Sequence, residues 1–128
     1  AASDVYKRQM RRYVDRMDLA FALADLIVSR SGAATVSEIS ALGIPAVYVP
    51  YSVGNGEQRL NAASAVAAGA ARLLDDATFD GDAVRRLVLP VMKDQQQLAA
   101  MQAAAGQVGT RSGTENLIAL VDRALRAS

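Results

Sequence analysis

Short runs of three or four apolar residues alternate along this chain with longer stretches in which apolar residues recur every three or four positions. The short runs fit buried strands and the longer stretches fit helices. Leu26-Ile27-Val28 reads as a strand that is apolar on both faces, as parallel strands usually are. A helix from Thr35 to Leu42 follows and stops at Gly43. Pro45 introduces a strand Ala46–Val49, and Pro50 ends it. Tyr51 to Gly54 is loop, and Asn55 or Gly56 opens a helix to about Ala68, closed by Gly69. Ala71-Arg72-Leu73-Leu74 is a further short strand. Beyond it the pattern is helical: Phe79 to Leu89 interrupted at Pro90, Gln95 to Val108 ended by Gly109, then a turn Thr110–Gly113 and a last helix to Ala127. Asp76, Asp80 and Asp94 stand where helix caps belong.

The opening of the chain is less patterned. Residues 1–12 show no period and stay unassigned. Tyr13-Val14 reads as the end of a short strand. Asp15 is placed to cap a helix running to Leu23, with Met17, Phe21 and Ala24 on one face. Strands that alternate with helices at this spacing predict an α/β fold with a parallel sheet flanked by helices. All the strands fall early, so the expectation is a Rossmann-like domain, residues 13–128, that lacks its first strands.

Composition narrows the chemistry. At 128 residues the chain makes one domain. It is 52% hydrophobic, enough for a core, but much of that is alanine, which buries little area and lets helices lie close to a sheet. The formal net charge of +1 gives no electrostatic case for nucleic acid, and the absence of tryptophan argues against a base-stacking platform. There is no cysteine, so no disulfide or thiol chemistry, and no histidine, so no histidine base, triad or metal ligand. No apolar run reaches the ~18 residues of a membrane span, and the opening lacks a signal peptide's apolar region. A cytoplasmic domain is the expectation.

The candidate chemistry collects at two strand-to-helix junctions. In Ser29-Arg30-Ser31-Gly32-Ala33-Ala34-Thr35 small residues leave the first N–H groups of a helix open, and the helix dipole favours an anion there. The same stretch also fits an ordinary tight turn with Ser or Thr as cap. Thr35-Val36-Ser37-Glu38 matches a capping box, so Glu38 either closes that box or accepts hydrogen bonds from a ribose. Glu57 and Gln58 open the next helix, with Asn61 one turn on, and read either as a solvated start or as readers of sugar hydroxyls. Tyr13, Val14 and Met17 fit an apolar wall for a base, or core packing. Arg30 meets a phosphate or pairs on the surface. Asp75-Asp76 reads as a cap, not as a metal-binding pair.

ADLIVSRSGAATVSEISALGIPAVYVPY, followed by NGEQRLNA and AGAARLL, resembles the nucleotide-binding segment of the MurG-type glycosyltransferases, family 28. The resemblance runs from about Tyr13 to the end and is strongest over residues 24–74. It implies the C-terminal, donor-binding domain of a GT-B glycosyltransferase. It implies that Ser31, Gly32, Ala33, Ala34 and Thr35 meet the phosphates of UDP and that Glu38 holds the ribose. By the same resemblance Glu57, Gln58 and Asn61 read N-acetylglucosamine, while Tyr13, Val14 and Met17 line the uracil. The activity implied is inverting transfer from UDP-N-acetylglucosamine to undecaprenyl-diphospho-muramoylpentapeptide in peptidoglycan synthesis, with no cofactor and no metal. No catalytic residue is expected in this chain. The base, the acceptor site and the peripheral association with the cytoplasmic membrane face would come from an N-terminal domain that the sequence does not contain. Two departures stand out: Glu57 occupies a position that is often glutamine in the family, and the family's Gly-rich loop is absent. Two other readings remain, a UDP-sugar transferase with another lipid acceptor, and a non-catalytic donor-binding subunit completed by a separate chain.

Overall fold

The computed structural model describes residues 8–109 and 113–127. Residues 1–7 of the unassigned opening and residues 110–112 of the expected turn lie outside them. Three strands, β1 (Ile27–Ser29), β2 (Ala46–Tyr48) and β3 (Ala71–Leu73), form a parallel sheet in the order β1-β2-β3. Ile27 pairs with Ala46, and Ala46 with Ala71. The helix α2 (Ala33–Ala41) connects β1 to β2, and α3 (Glu57–Ala67) connects β2 to β3. Each connection is the helical crossover that parallel pairing requires.

Only the central strand behaves as the apolar runs predict. All three residues of β2 are buried, whereas Val28 of β1 is 42% exposed because β1 is an edge strand among the described residues. The core gathers Val36 and Ile39 of α2, Ala46 and Tyr48 of β2, Ala62 and Ala65 of α3, and Ala105 of α6 (Gln95–Val108). The small alanines of α3 and α6 let α2, α3 and α6 pack closely on one another, while Ile39 and Tyr48 supply the bulk. α6 packs against both α2 and α3. Its exit is tight: a Cβ on Gly109 would run into the backbone of Ser40 and Ala41.

Several boundaries differ from the sequence reading, each for a physical reason. Tyr13-Val14 is irregular rather than strand, and Tyr13 is 80% exposed. α1 (Met17–Leu23) is not capped by Asp15; Arg16 holds the N-cap position and its guanidinium pairs with Asp18 in the first turn at 2.8 Å. α2 begins at Ala33, two residues before Thr35, so the capping box does not form. Gly32 takes the N-cap, and Ala33-Ala34, both good helix formers, start the helix. Asp76 caps no helix; it lies in a 3₁₀ turn, Asp76–Thr78, and pairs instead with Arg30. Asp80 does cap, accepting from the Ala83 N–H at 2.8 Å, so the helix begins at Gly81 rather than Phe79.

Pro90 does not break that helix. α4 (Gly81–Ala83) runs into a π-helical segment, Val84–Val88, and on into α5 (Leu89–Lys93). The wider π turn lies just before the proline, whose ring and missing N–H would otherwise break the regular ladder. Asp94 then caps α6 with two hydrogen bonds, from the N–H groups of Gln96 and Gln97, both 3.1 Å. The last helix, α7 (Gly113–Ala127), is amphipathic, yet Leu117, Ile118, Leu120, Val121 and Leu125 are all more than half exposed. Among the described residues no helix is long and apolar enough to cross a membrane.

Candidate functional site

The carboxyl ends of the three strands lie on one side of the sheet, and the segments that leave them meet there. Such an edge is where open α/β sheets place ligands. Ser31, just beyond β1, is fully buried. Its hydroxyl donates to the Gln58 carbonyl at 2.7 Å, and the Asn61 side-chain amide donates back to the Ser31 carbonyl at 3.1 Å. This reciprocal pair stitches the β1–α2 turn to the first turn of α3. The amino ends of two helices therefore stand side by side.

At α2 the first intrahelical bond runs from the Val36 N–H to the Gly32 carbonyl. The N–H groups of Ala33, Ala34 and Thr35 precede it and are left to other partners. Ala33 and Ala34 are exposed, Thr35 is half-buried, and no atom lies within 4 Å of where a Gly32 side chain would begin. An open row of backbone donors at a helix's positive end is a site for an anion. One turn further, Glu38 sits exposed on α2 with its carboxylate outside any cap. It lines a cavity of about 350 Å³ together with Met17, Asp18, Phe21, Ala41 and Leu42. Glu38 and Met17, far apart in sequence, thus share one cavity. Tyr13 and Val14 are not among its lining residues. A larger cavity of about 520 Å³, lined by Val66, Leu74, Leu87 and Met101 among others, contains none of the predicted residues.

On α3, Glu57 is exposed in the first turn, and Gln58 is half-buried. Gly56 makes this entry possible: it caps α3 with φ of 75°, in the left-handed region that glycine tolerates. The Gln58 side-chain carbonyl accepts from the Tyr51 N–H at 2.7 Å. Of the predicted residues, then, Gly32 to Thr35, Glu38, Glu57 and Gln58 present groups toward solvent-accessible space. Ser31 and Asn61 spend their side-chain groups on each other's segments. Tyr13, Val14 and Met17 lie on the segment leading into and opening α1, and only Met17 of the three joins the cavity.

The sequence leaves Arg30 either to meet a phosphate or to pair on the surface, and the structure shows it paired: it meets Asp76 at 2.7 Å, donates to the Val49 carbonyl at 3.1 Å, and lies 5.2 Å from the centre of the Tyr51 ring. Its cation is engaged within the protein. The available signal was positional: Arg30, Tyr51 and Asp76 each follow a strand end by one to three residues, so a parallel sheet must bring them together. Among the described residues no three His, Cys, Asp or Glu side chains converge as a metal site would require. Below the edge, Tyr48 is buried in the core, and that burial pushes its phenol up to about 12, offset in part by a hydrogen bond with the Ser40 side chain.

One relative, the UDP-N-acetylglucosamine--N-acetylmuramyl-(pentapeptide) pyrophosphoryl-undecaprenol N-acetylglucosamine transferase of Leifsonia xyli subsp. xyli, is 52% identical over 116 residues, 91% of this chain and 32% of that protein. The same-named transferase of Mycolicibacterium smegmatis is 58% identical over 97 residues, 76% of this chain and 25% of that protein. The chain thus spans roughly a quarter to a third of the curated relatives it matches. The crystal structure of MurG from Acinetobacter baumannii superposes with a TM-score of 0.79 at 29% sequence identity, over 90% of this chain and 33% of that one. The model of the glycosyltransferase family 28 C-terminal domain matches residues 2–117. The chain belongs to that family: it is a glycosyltransferase family 28 C-terminal domain.

Proposed function

We propose that this chain is the donor-binding part of an inverting transferase that moves N-acetylglucosamine from its UDP donor to undecaprenyl-diphospho-muramoylpentapeptide. The observation that carries the reading is the placement of two helix amino ends side by side, with the α2 donors open and Glu38 one turn away on a cavity wall. In this reading the N–H groups of Ala33, Ala34 and Thr35 receive the diphosphate, with Gly32 leaving room for its approach. Glu38 accepts from the ribose hydroxyls, and the Met17 side of the cavity takes the uracil, with Tyr13 and Val14 on the approach to it. Glu57 and Gln58 meet the N-acetylglucosamine. Ser31 and Asn61 hold the frame on which the others are mounted.

The chemistry assigned to this half is electrostatic. As the acceptor's 4-hydroxyl attacks the anomeric carbon, the bond to UDP breaks and its electron pair moves onto the diphosphate. Donors fixed at a helix amino end stabilise that charge with no reorganisation at the moment of reaction. The base that takes the hydroxyl proton belongs to the acceptor-binding part of the enzyme, as does attachment to the cytoplasmic membrane face. The names of the relatives support the substrates, and the edge geometry supports the donor role.

Calorimetric titration with UDP-N-acetylglucosamine tests the reading. Saturable binding is expected, with Glu38→Ala weakening it by about tenfold, since a hydrogen bond to a charged group contributes roughly 1.5–3 kcal/mol. Binding that is indifferent to Glu38→Ala would remove the ribose assignment. Residues 1–128 alone are expected to bind donor without forming product on a lipid-linked acceptor, and product formation would refute the division of labour.

A further inference from the structure

We infer that Arg30 is a positioning residue for sugar recognition, acting on Gln58 through Tyr51; this rests on the donor-binding reading above. Arg30 leaves the end of β1 and its guanidinium reaches across the sheet edge. It donates to the Val49 carbonyl at the end of β2 (3.1 Å) and pairs with Asp76 beyond β3 (2.7 Å). The face of the same cation lies against the Tyr51 ring, 5.2 Å from its centre. One planar group thereby fixes both the Val49–Pro50 peptide, one residue before Tyr51, and the side chain of Tyr51 itself. A lysine, with a single point of charge, could not hold all three partners at once.

The consequence falls on Tyr51's N–H, which donates to the Gln58 side-chain carbonyl at 2.7 Å. A backbone N–H meets an amide oxygen and never an amide nitrogen, so the orientation of Gln58 is decided. Its oxygen is occupied within the protein, and its NH₂ group is the part left for a ligand. Gln58 then directs its NH₂ group outward, where it donates to an acceptor oxygen of the sugar. Without Arg30 the segment from Val49 to Gly56 loses its anchor, the Tyr51 N–H drifts, and Gln58 is free to turn over. Besides Arg30 the loop is held by a long hydrogen bond from the Ser52 hydroxyl to Asp76 (3.5 Å), while Gly54 and Gly56 both have positive φ and Tyr51 is half exposed.

The test compares UDP with UDP-N-acetylglucosamine binding by calorimetry in the full-length transferase, for Arg30→Ala, Gln58→Ala and the double variant. Arg30→Ala is expected to lower the advantage of the sugar nucleotide over UDP by about five- to tenfold, as Gln58→Ala does, because one oriented hydrogen bond is lost. UDP affinity itself should not change, and the double variant should be no worse than either single one. Tyr51→Phe keeps the ring and the N–H and should behave as the unsubstituted protein. Equal weakening of UDP and its sugar nucleotide by Arg30→Ala, or additive losses in the double variant, would overturn the proposal while leaving the donor reading intact. Should Arg30→Ala fail to fold, Tyr51→Ala removes the same anchor and must give the same loss. Failure of the unsubstituted protein to bind either ligand would overturn the donor reading, and this inference with it.

Discussion

Tyr48 and Ser31 show how single buried polar groups are managed here. Each is 1% exposed or less, each has a partner, and no described buried side-chain nitrogen or oxygen lacks one. Replacing Ser31 by Ala would strand the hydrogen bond accepted by the Gln58 carbonyl, and a loss of about 1–2 kcal/mol in urea unfolding is expected. Tyr48 makes stability depend on alkali. Its folded pKa, about 12, lies above the ordinary 10, so its contribution is whole below pH 10 and is lost as pH rises through 12. A two-unit shift corresponds to roughly 2–3 kcal/mol. Thermal melts from pH 8 to 12 should fall more steeply for the native chain than for Tyr48→Phe; parallel curves would show that the phenol is not the cause. Ser31 was visible in the sequence as part of an anion-binding turn, but not its burial. That burial depends on α3 crossing above it, and no local pattern reports such a crossing.

At the scale of elements, caps and glycines decided most boundaries. Asp94 carries two hydrogen bonds at the start of α6, the helix that packs on both α2 and α3. Asp94→Ala should cost about 1 kcal/mol, read as a shift in the urea midpoint without change of slope. Gly109 is the stricter case. Its backbone passes so close to Ser40 that a methyl group has no room, so Gly109→Ala should destabilise by about 1–3 kcal/mol as α6 is pushed off α2. A neutral substitution there would mean that the α6 exit relaxes freely. Asp80 and Asp94 were legible as caps because an acid before a helical pattern has one common use. The capping box at Thr35–Glu38 looked equally good and was not used, since Gly32 with Ala33-Ala34 began the helix earlier. The same competition moved Asp76 from cap to ion pair, because the partner, Arg30, is distant in sequence and adjacent only once the sheet has formed. The sequence pattern predicts an interruption at Pro90, and a π segment absorbs it, a solution that only the finished helix displays.

Across the whole molecule, the sheet edge gathers segments from the ends of all three strands into one surface. If that surface binds UDP, ligand must stabilise the fold: at a concentration one hundred times the dissociation constant the gain is about 2.7 kcal/mol. A rise in melting temperature with UDP, cut to about half by Glu38→Ala at the same UDP concentration, is expected; an unchanged temperature at saturating UDP would count against the edge as the nucleotide site. The chain holds no histidine and no cysteine, so neither a histidine base nor a thiol comes from these residues. By itself the sequence determined the three strands and the helices between them from Leu26 to Leu74, the parallel sheet, the helix stops at Gly43 and Gly69, and two of its caps, because these follow from spacing and backbone geometry over a few residues. The tertiary structure alone decided which of the polar residues face solvent-accessible space. It turned Ser31 and Asn61 inward, left the α2 donors and Glu38 outward, and tied Arg30, Tyr51 and Asp76 into one anchor. Those outcomes depend on contacts between residues 20 to 50 positions apart, which exist only after three strands lie side by side.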